Sequence, residues 1–148
     1  MKLRSDSFRN RAAMPAAQAH PQLSWSEVPA GTASLAVLCL EGDVPDGDCF
    51  HWSVVDIPPT LAALAGGALP AEAETLLDGV PLRQGMNDHR GYGYHAPLPA
   101  QNATRHYIFR IYALDVARLE LPPQFTGADV LNAIYGHIID EAQLIGAY

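Results

Sequence analysis

The sequence predicts a mostly β domain that closes with one helix near its C-terminal end. Three observations carry that prediction. Ser34-Leu35-Ala36-Val37-Leu38-Cys39-Leu40 is a continuous apolar run bounded by turn residues, the pattern of a buried central strand. His106 to Leu114 alternates and is rich in aromatic and β-branched residues, which suit a pleated, half-buried surface. The chain also carries 12 Gly and 12 Pro, a composition that favours strands and loops over long helices.

Taken in order, residues 1 to 33 read as irregular, with Met14-Pro15-Ala16-Ala17 and Val28-Pro29-Ala30-Gly31-Thr32 as turn material. A strand over 34–40 follows. His51-Trp52-Ser53-Val54-Val55-Asp56-Ile57 reads as a second, stopped by Pro58-Pro59 because proline donates nothing to a ladder. From Thr60 to Glu74 a weak helical period is interrupted by Gly66-Gly67 and Pro70, so that stretch is expected to be loop with at most a short helical turn. After the strand at 106–114, Thr126-Gly127-Ala128-Asp129 has the character of a helix cap, and Val130, Ile134 and Ile138 recur on one helix face. That spacing predicts a helix over 127–140, about three to four turns long. Gln143 to Tyr148 reads as a last strand.

Composition bounds the function. The 148 residues fit one domain, 1–148, long enough to bury a core without covalent staples. A net charge of -7 and a pI near 5.1 oppose binding to a phosphate backbone, so no nucleic-acid partner is expected. The opening Met1-Lys2-Leu3-Arg4-Ser5-Asp6 has no apolar signal core, and no stretch has the roughly 18 apolar residues of a membrane span. The expectation is a cytoplasmic protein with no integral membrane association. Cys39 and Cys49 are too few for a disulfide framework and lack Cys-x-x-Cys spacing, so they read as reduced thiols and no cofactor is implied.

Chemistry concentrates in two Gly/Pro-rich loops that feed strand-like runs. Glu41-Gly42-Asp43-Val44-Pro45 leads to His51-Trp52, and Gly91-Tyr92-Gly93-Tyr94-His95-Ala96-Pro97-Leu98-Pro99 leads to Arg105-His106-Tyr107. Such loops can bring an acid, an imidazole, a guanidinium and a phenol around one pocket. Other segments extend the pattern: Leu23-Ser24-Trp25, Val28 to Thr32, His51 to Pro58, Tyr107-Ile108-Phe109 with Tyr112 to Asp115, and Gly136 to Ala142. Together, in this order, they resemble the phosphatidylethanolamine-binding protein family, also called Raf-kinase-inhibitor-like, in its bacterial branch. The resemblance implies an antiparallel β-sandwich with a C-terminal helix and a small end-on pocket. It also implies a small anionic ligand, namely phosphate, acetate or the phosphoryl head group of a phospholipid. Some members regulate kinases or inhibit proteases, and bacterial members are often homodimers, so a protein partner and a homodimer are expected on the same ground.

Carried over residue by residue, the resemblance assigns Glu41, Asp43, His51, Tyr94, Ala96, Pro97, Arg105 and Tyr107 to the ligand site. Four departures mark it. Glu41 and Gly42 stand where the family has Asp and Pro, Ala96 replaces a glycine, and the family's His-Arg-Tyr is Arg105-His106-Tyr107. Side chains alternate along a strand, so Arg105 and Tyr107 should share one face while His106 points with Ile108 and Arg110 to the other. Arg105 can then hold an anion bidentately, or it can pair with Glu41 and close the pocket.

Other readings find less support. Asp88, His89 and His95 lack the i, i+4 spacing and the His-Glu-x-x-His pattern of a helical metal site, so no metal is expected. There is no Gly-x-Ser-x-Gly elbow and no phosphate-cradling Gly-x-x-x-x-Gly-Lys, and Ser53 lies inside a strand. His137 reads as a core or interface histidine of the helix. The leading expectation is therefore a non-enzymatic small-ligand-binding protein. The alternative is an interaction or inhibitor module, acting on a kinase or protease, whose pocket is filled and structural.

Overall fold

A computed structural model describes residues 1–42, 49–98 and 104–148. Its strands are β1 (Lys2–Arg4), β2 (Leu23–Ser26), β3 (Ser34–Glu41), β4 (Cys49–Ile57), β5 (Ala63–Leu64), β6 (Glu74–Leu77), β7 (Val80–Gln84), β8 (His106–Leu114) and β9 (Ile138–Ala147), with α1 (Gly127–Ile134) between the last two. They form a three-stranded sheet, order β1-β2-β5, and a six-stranded sheet, order β6-β7-β4-β3-β8-β9. Every named pairing is antiparallel.

The centre of the large sheet is covered on both faces, which is why β3 has no exposed position along its length. Leu35, Val37, Cys39, Trp52, Val54, Phe109 and Ile111 point toward the small sheet and pack with Leu3, Leu23, Trp25 and Leu64. Ala36, Leu38, Phe50, Val55, Tyr112 and Leu114 face the other way and are covered by Val130 and Ile134 of α1 together with Leu119 and Phe125. The predicted antiparallel sandwich with a helix near the C-terminal end is what the chain forms.

Two local expectations need correction. Residues 1–33 are not wholly irregular, because β1 and β2 pair there and add a sheet over the core. Residues 60–74 are mostly loop, as expected, and their one regular piece before Glu74 is β5, two residues paired to β2. The helix spans eight residues and not 127–140. It starts as anticipated, with Thr126 and Asp129 forming a reciprocal capping box. It ends because Tyr135 leaves helical geometry and Gly136 adopts φ +84°, a backbone conformation in which glycine carries no steric penalty. From Ile138 the chain pairs along the open edge of β8, from Leu114↔Ile138 to His106↔Ala147. The ladder along that edge outweighs the apolar stripe that suggested more helix. His137 accordingly sits in the connection, bonded to Asp115 Oδ1 at 2.8 Å, and not on the helix.

Candidate functional site

The end rung of the central ladder gathers the chemistry. Glu41, the last residue of β3, pairs with Cys49 on β4 and with Tyr107 on β8. Cross-strand partners share a face, so all three side chains lie on the side of Cys39 and Trp52. Between Cys39↔Trp52 and Leu40↔Phe50 the register shifts, which leaves His51 as an extra residue in β4. A bulge of this kind re-aims a side chain. Here it turns the imidazole to the same side as Glu41.

Within this cluster Arg105 Nη1 donates to Glu41 Oε1 at 2.9 Å, and Glu41 Oε2 lies 3.6 Å from His51 Nε2. The Tyr107 ring meets the His51 ring edge-on, centroids 5.1 Å apart. His51 Nδ1 is 2.8 Å from the His95 carbonyl oxygen, which can only accept, so Nδ1 carries the proton. Glu41 and His51 are buried, whereas the Arg105 side chain is 47% exposed. Arg105 is held by its backbone as well, with hydrogen bonds in both directions to Tyr148 at 2.9 Å.

Two buried polar atoms in the cluster lack a hydrogen-bond partner among the described residues, His51 Nε2 and the Tyr107 hydroxyl. Burial and then the Glu41 carboxylate push the Tyr107 phenol up to about 12, against a smaller opposing pull from Arg105 and the nearby Leu98 backbone. It is therefore a neutral O–H at ordinary pH, available as a donor. The Cys49 thiol is raised by burial first and then by Asp88 and Glu41, with Arg105 opposing.

The loop over the rung is built on Asn87. Its Oδ1 accepts from the amides of His89 and Gly91, and its Nδ2 donates to the Gly93 carbonyl. Asp88 fastens this loop to β4, accepting from the Phe50 amide through Oδ2 and donating its own amide to the Phe50 carbonyl. His89 then stacks on His95 with centroids 3.8 Å apart and meets the His51 ring at 5.0 Å. Burial, followed by His95 and His51, lowers the pKa of His89.

Of the site residues expected from sequence, Glu41, His51, Arg105 and Tyr107 come together. Arg105 and Tyr107 share a face as the alternation predicts, with Tyr107 buried while His106 is exposed and Ile108 and Arg110 half-buried. Tyr94 points elsewhere: its ring contacts are Trp52, His20 and Phe109, and burial raises its phenol. Ala96 and Pro97 are buried, and the Ala96 carbonyl accepts from His95 Nδ1. Asp43 lies outside the described residues. Sequence reasoning did not connect Cys49 or His89 to the cluster; the two-residue spacing of Cys49 and His51 was the available signal. A groove of about 370 Å³ away from the cluster is lined by Arg110, Glu141, Ala142 and Gln143.

Comparison with known proteins agrees with this architecture. A family model described as phosphatidylethanolamine-binding protein matches residues 4–148. A UPF0098 protein of Methanothermobacter thermautotrophicus is 38% identical over 154 residues, spanning 100% of this chain and 98% of the relative. The crystal structure of a phosphatidylethanolamine-binding protein homologue from Chlamydia trachomatis has a TM-score of 0.84 at 34% identity, covering 99% of this chain and 95% of that one. LppC of Mycobacterium tuberculosis, whose name marks it as a lipoprotein, is 37% identical over 129 residues, or 86% of this chain and 59% of LppC. No helix among the described residues is long and apolar enough to cross a membrane. With residues 4–148 matched by the family model and the fold shared with a solved homologue, the chain belongs to the phosphatidylethanolamine-binding protein family.

Proposed function

We propose that the chain is a non-enzymatic binding protein for a small anion, a phosphate, a carboxylate or a phosphoryl head group, received at Arg105 and Tyr107 beside His51. The observation that carries this reading is the Tyr107 hydroxyl, buried and without a hydrogen-bond partner among the described residues. Leaving a buried donor unpaired costs about 1–3 kcal/mol, which an anionic acceptor recovers. Arg105 keeps N–H groups beyond the one given to Glu41, and its half-exposed position puts them within reach of solvent. The test is titration calorimetry with phosphate and with acetate on the wild type, Tyr107→Phe and Arg105→Ala. A charge-assisted contact of about 1.5–3 kcal/mol predicts at least a roughly tenfold weaker affinity in each variant. Wild type that binds neither anion, or Tyr107→Phe that binds as well as wild type, rejects the reading.

A second reading is favoured by one observation, the 2.9 Å pair between Arg105 and Glu41. In it the pair fills the site, and the chain acts through its surface on a protein partner of the kinase or protease class. Absence of any anion-dependent thermal shift is its signature. For either reading we propose a homodimer, on the family analogy and because Leu98, Ile138 and Ile139 are exposed apolar side chains. Sedimentation that shows only monomer at high micromolar concentration rejects that assembly.

A further inference from the structure

We infer that Cys49, His51 and His89 form a binding site for a divalent cation of borderline softness, of the zinc class. One ligand atom from each of the three lies within 4.8 Å of the others. Zinc bonds of about 2.0–2.3 Å place tetrahedral ligand atoms roughly 3.3–3.6 Å apart, so closing the site takes about 1 Å of side-chain movement. His89 is exposed and Cys49 half-buried, so both have room for it.

The second and independent observation is His51 Nε2. In the tautomer that carries its proton on Nδ1, a lone pair sits at Nε2, and that atom is buried without a hydrogen-bond partner among the described residues. What it faces at 3.6 Å is the carboxylate oxygen of Glu41 that Arg105 does not use. Two acceptors directed at each other in a buried setting call for a positive centre between or beside them, a proton or a metal. The adjacent Cys49 sulfur, deprotonated as the metal binds, and the His89 imidazole select the metal, since thiolate and imidazole are the donors zinc prefers. The backbone carbonyl of His95 fixes the orientation and tautomer of His51, as the outer partner of a metal-bound histidine does. Asn87 and Asp88 hold His89 above the strand, so two of the ligands stand on β4 and the third on a pinned loop.

Binding requires the thiol proton to leave: the cation takes the Cys49 sulfur lone pair as the S–H bond breaks, and one proton passes to the buffer. Three protein ligands leave the fourth position for water, for Glu41 or for an incoming anion. The site does not rest on the anion reading above, because neither Arg105 nor Tyr107 is a ligand.

The experiment titrates the reduced full chain, carrying no polyhistidine tag, with cobalt(II) followed by absorption, and then adds zinc(II). One equivalent of cobalt should produce a thiolate-to-metal charge-transfer band that zinc abolishes. Cys49→Ser should remove the band, and His89→Ala should weaken cobalt binding by roughly tenfold or more. His137→Ala, on the far turn, should change neither. Should Cys49→Ser fail to fold, the exposed His89 still gives a readable variant. No band in the wild type, a band that survives Cys49→Ser, or cobalt affinity unchanged in His89→Ala overturns the inference.

Discussion

Glu41 divides its carboxylate between two partners, Oε1 accepting from Arg105 Nη1 at 2.9 Å and Oε2 facing His51 Nε2 at 3.6 Å. The carboxylate is buried and the guanidinium is half-exposed, so the pair is asymmetric. Solvent screens the attraction on the arginine side, which lowers its worth toward that of a surface pair. The cost of losing the arginine falls mainly on the acid, which stays behind in a setting it cannot easily leave.

Arg105→Ala is therefore expected to lower stability by about 1–2 kcal/mol, less than for a fully buried pair. Denaturant melts of the two proteins give the difference. A loss under about 0.5 kcal/mol would mean that water satisfies Glu41 and that the pair has no structural role.

Gln84 is a second point of leverage. It is 1% exposed, accepts from Trp52 Nε1 at 2.7 Å and donates to the carbonyls of Pro70 and Glu72. Gln84→Leu preserves approximate volume but takes the partner from the indole N–H and from the Glu72 carbonyl, while the Pro70 carbonyl keeps the Glu72 amide, so a loss of about 2–4 kcal/mol is expected. The measurement is chemical denaturation with Trp52 fluorescence. A change below about 1 kcal/mol would show that the network relaxes onto water.

Close packing makes Gly127 sensitive to a single methyl. A Cβ there would lie 2.3 Å from Cδ1 and 2.4 Å from Cγ of the Phe50 ring, which is itself buried. Gly127→Ala is expected to cost about 1–3 kcal/mol through overpacking. Phe50→Leu introduced with it should recover part of that loss by making room. If the double variant is no better than the sum of the two single ones, the clash is not the cause.

The pH dependence of stability should be visible at His20. Its Nε2 accepts from the Leu69 amide at 3.0 Å and its Nδ1 donates to the Pro21 carbonyl, so both ring nitrogens are committed to the neutral form. Burial lowers its pKa below the ordinary 6.5, opposed by the Pro21 carbonyl. The unfolded chain then binds more protons just below 6.5 than the folded chain does, so stability declines as pH falls below that value. Below the lowered folded value the decline from this group stops. His20→Phe, which keeps a ring stacked on Trp52, should flatten this part of the curve; parallel curves for variant and wild type from pH 7 to about pH 5 would refute the assignment.

How much of this was legible varies with element length. The strands read at 34–40, 51–57 and 106–114, which the structure extends to Ser34–Glu41 and Cys49–Ile57, were readable because burial on both faces, or alternation, leaves a pattern over seven or more residues. The strands β1 and β5 to β7 have two to five residues each, too few for a period, and β2 shows only Leu23-Ser24-Trp25-Ser26. Ile138 continued the helix stripe in sequence, yet the free edge of β8 claimed it, a tertiary effect that no local pattern contains. In the site, alternation was enough to put Arg105 and Tyr107 on one face. It could not reveal that Asn87 folds the next loop back to set His89 beside His51, because that depends on one side-chain amide and not on a period.

The extra residue at His51 separates scaffold from cargo in a way that a family's history can exploit. Phe50↔Leu40 and Trp52↔Cys39 are consecutive rungs if His51 is deleted, so the ladder closes and both aromatic rings keep their faces. A chain one residue shorter at this point would retain its packing and lose the imidazole that joins Glu41, Cys49 and His89. A relative one residue shorter between the equivalents of Phe50 and Trp52 would share the sandwich and carry no imidazole at this rung.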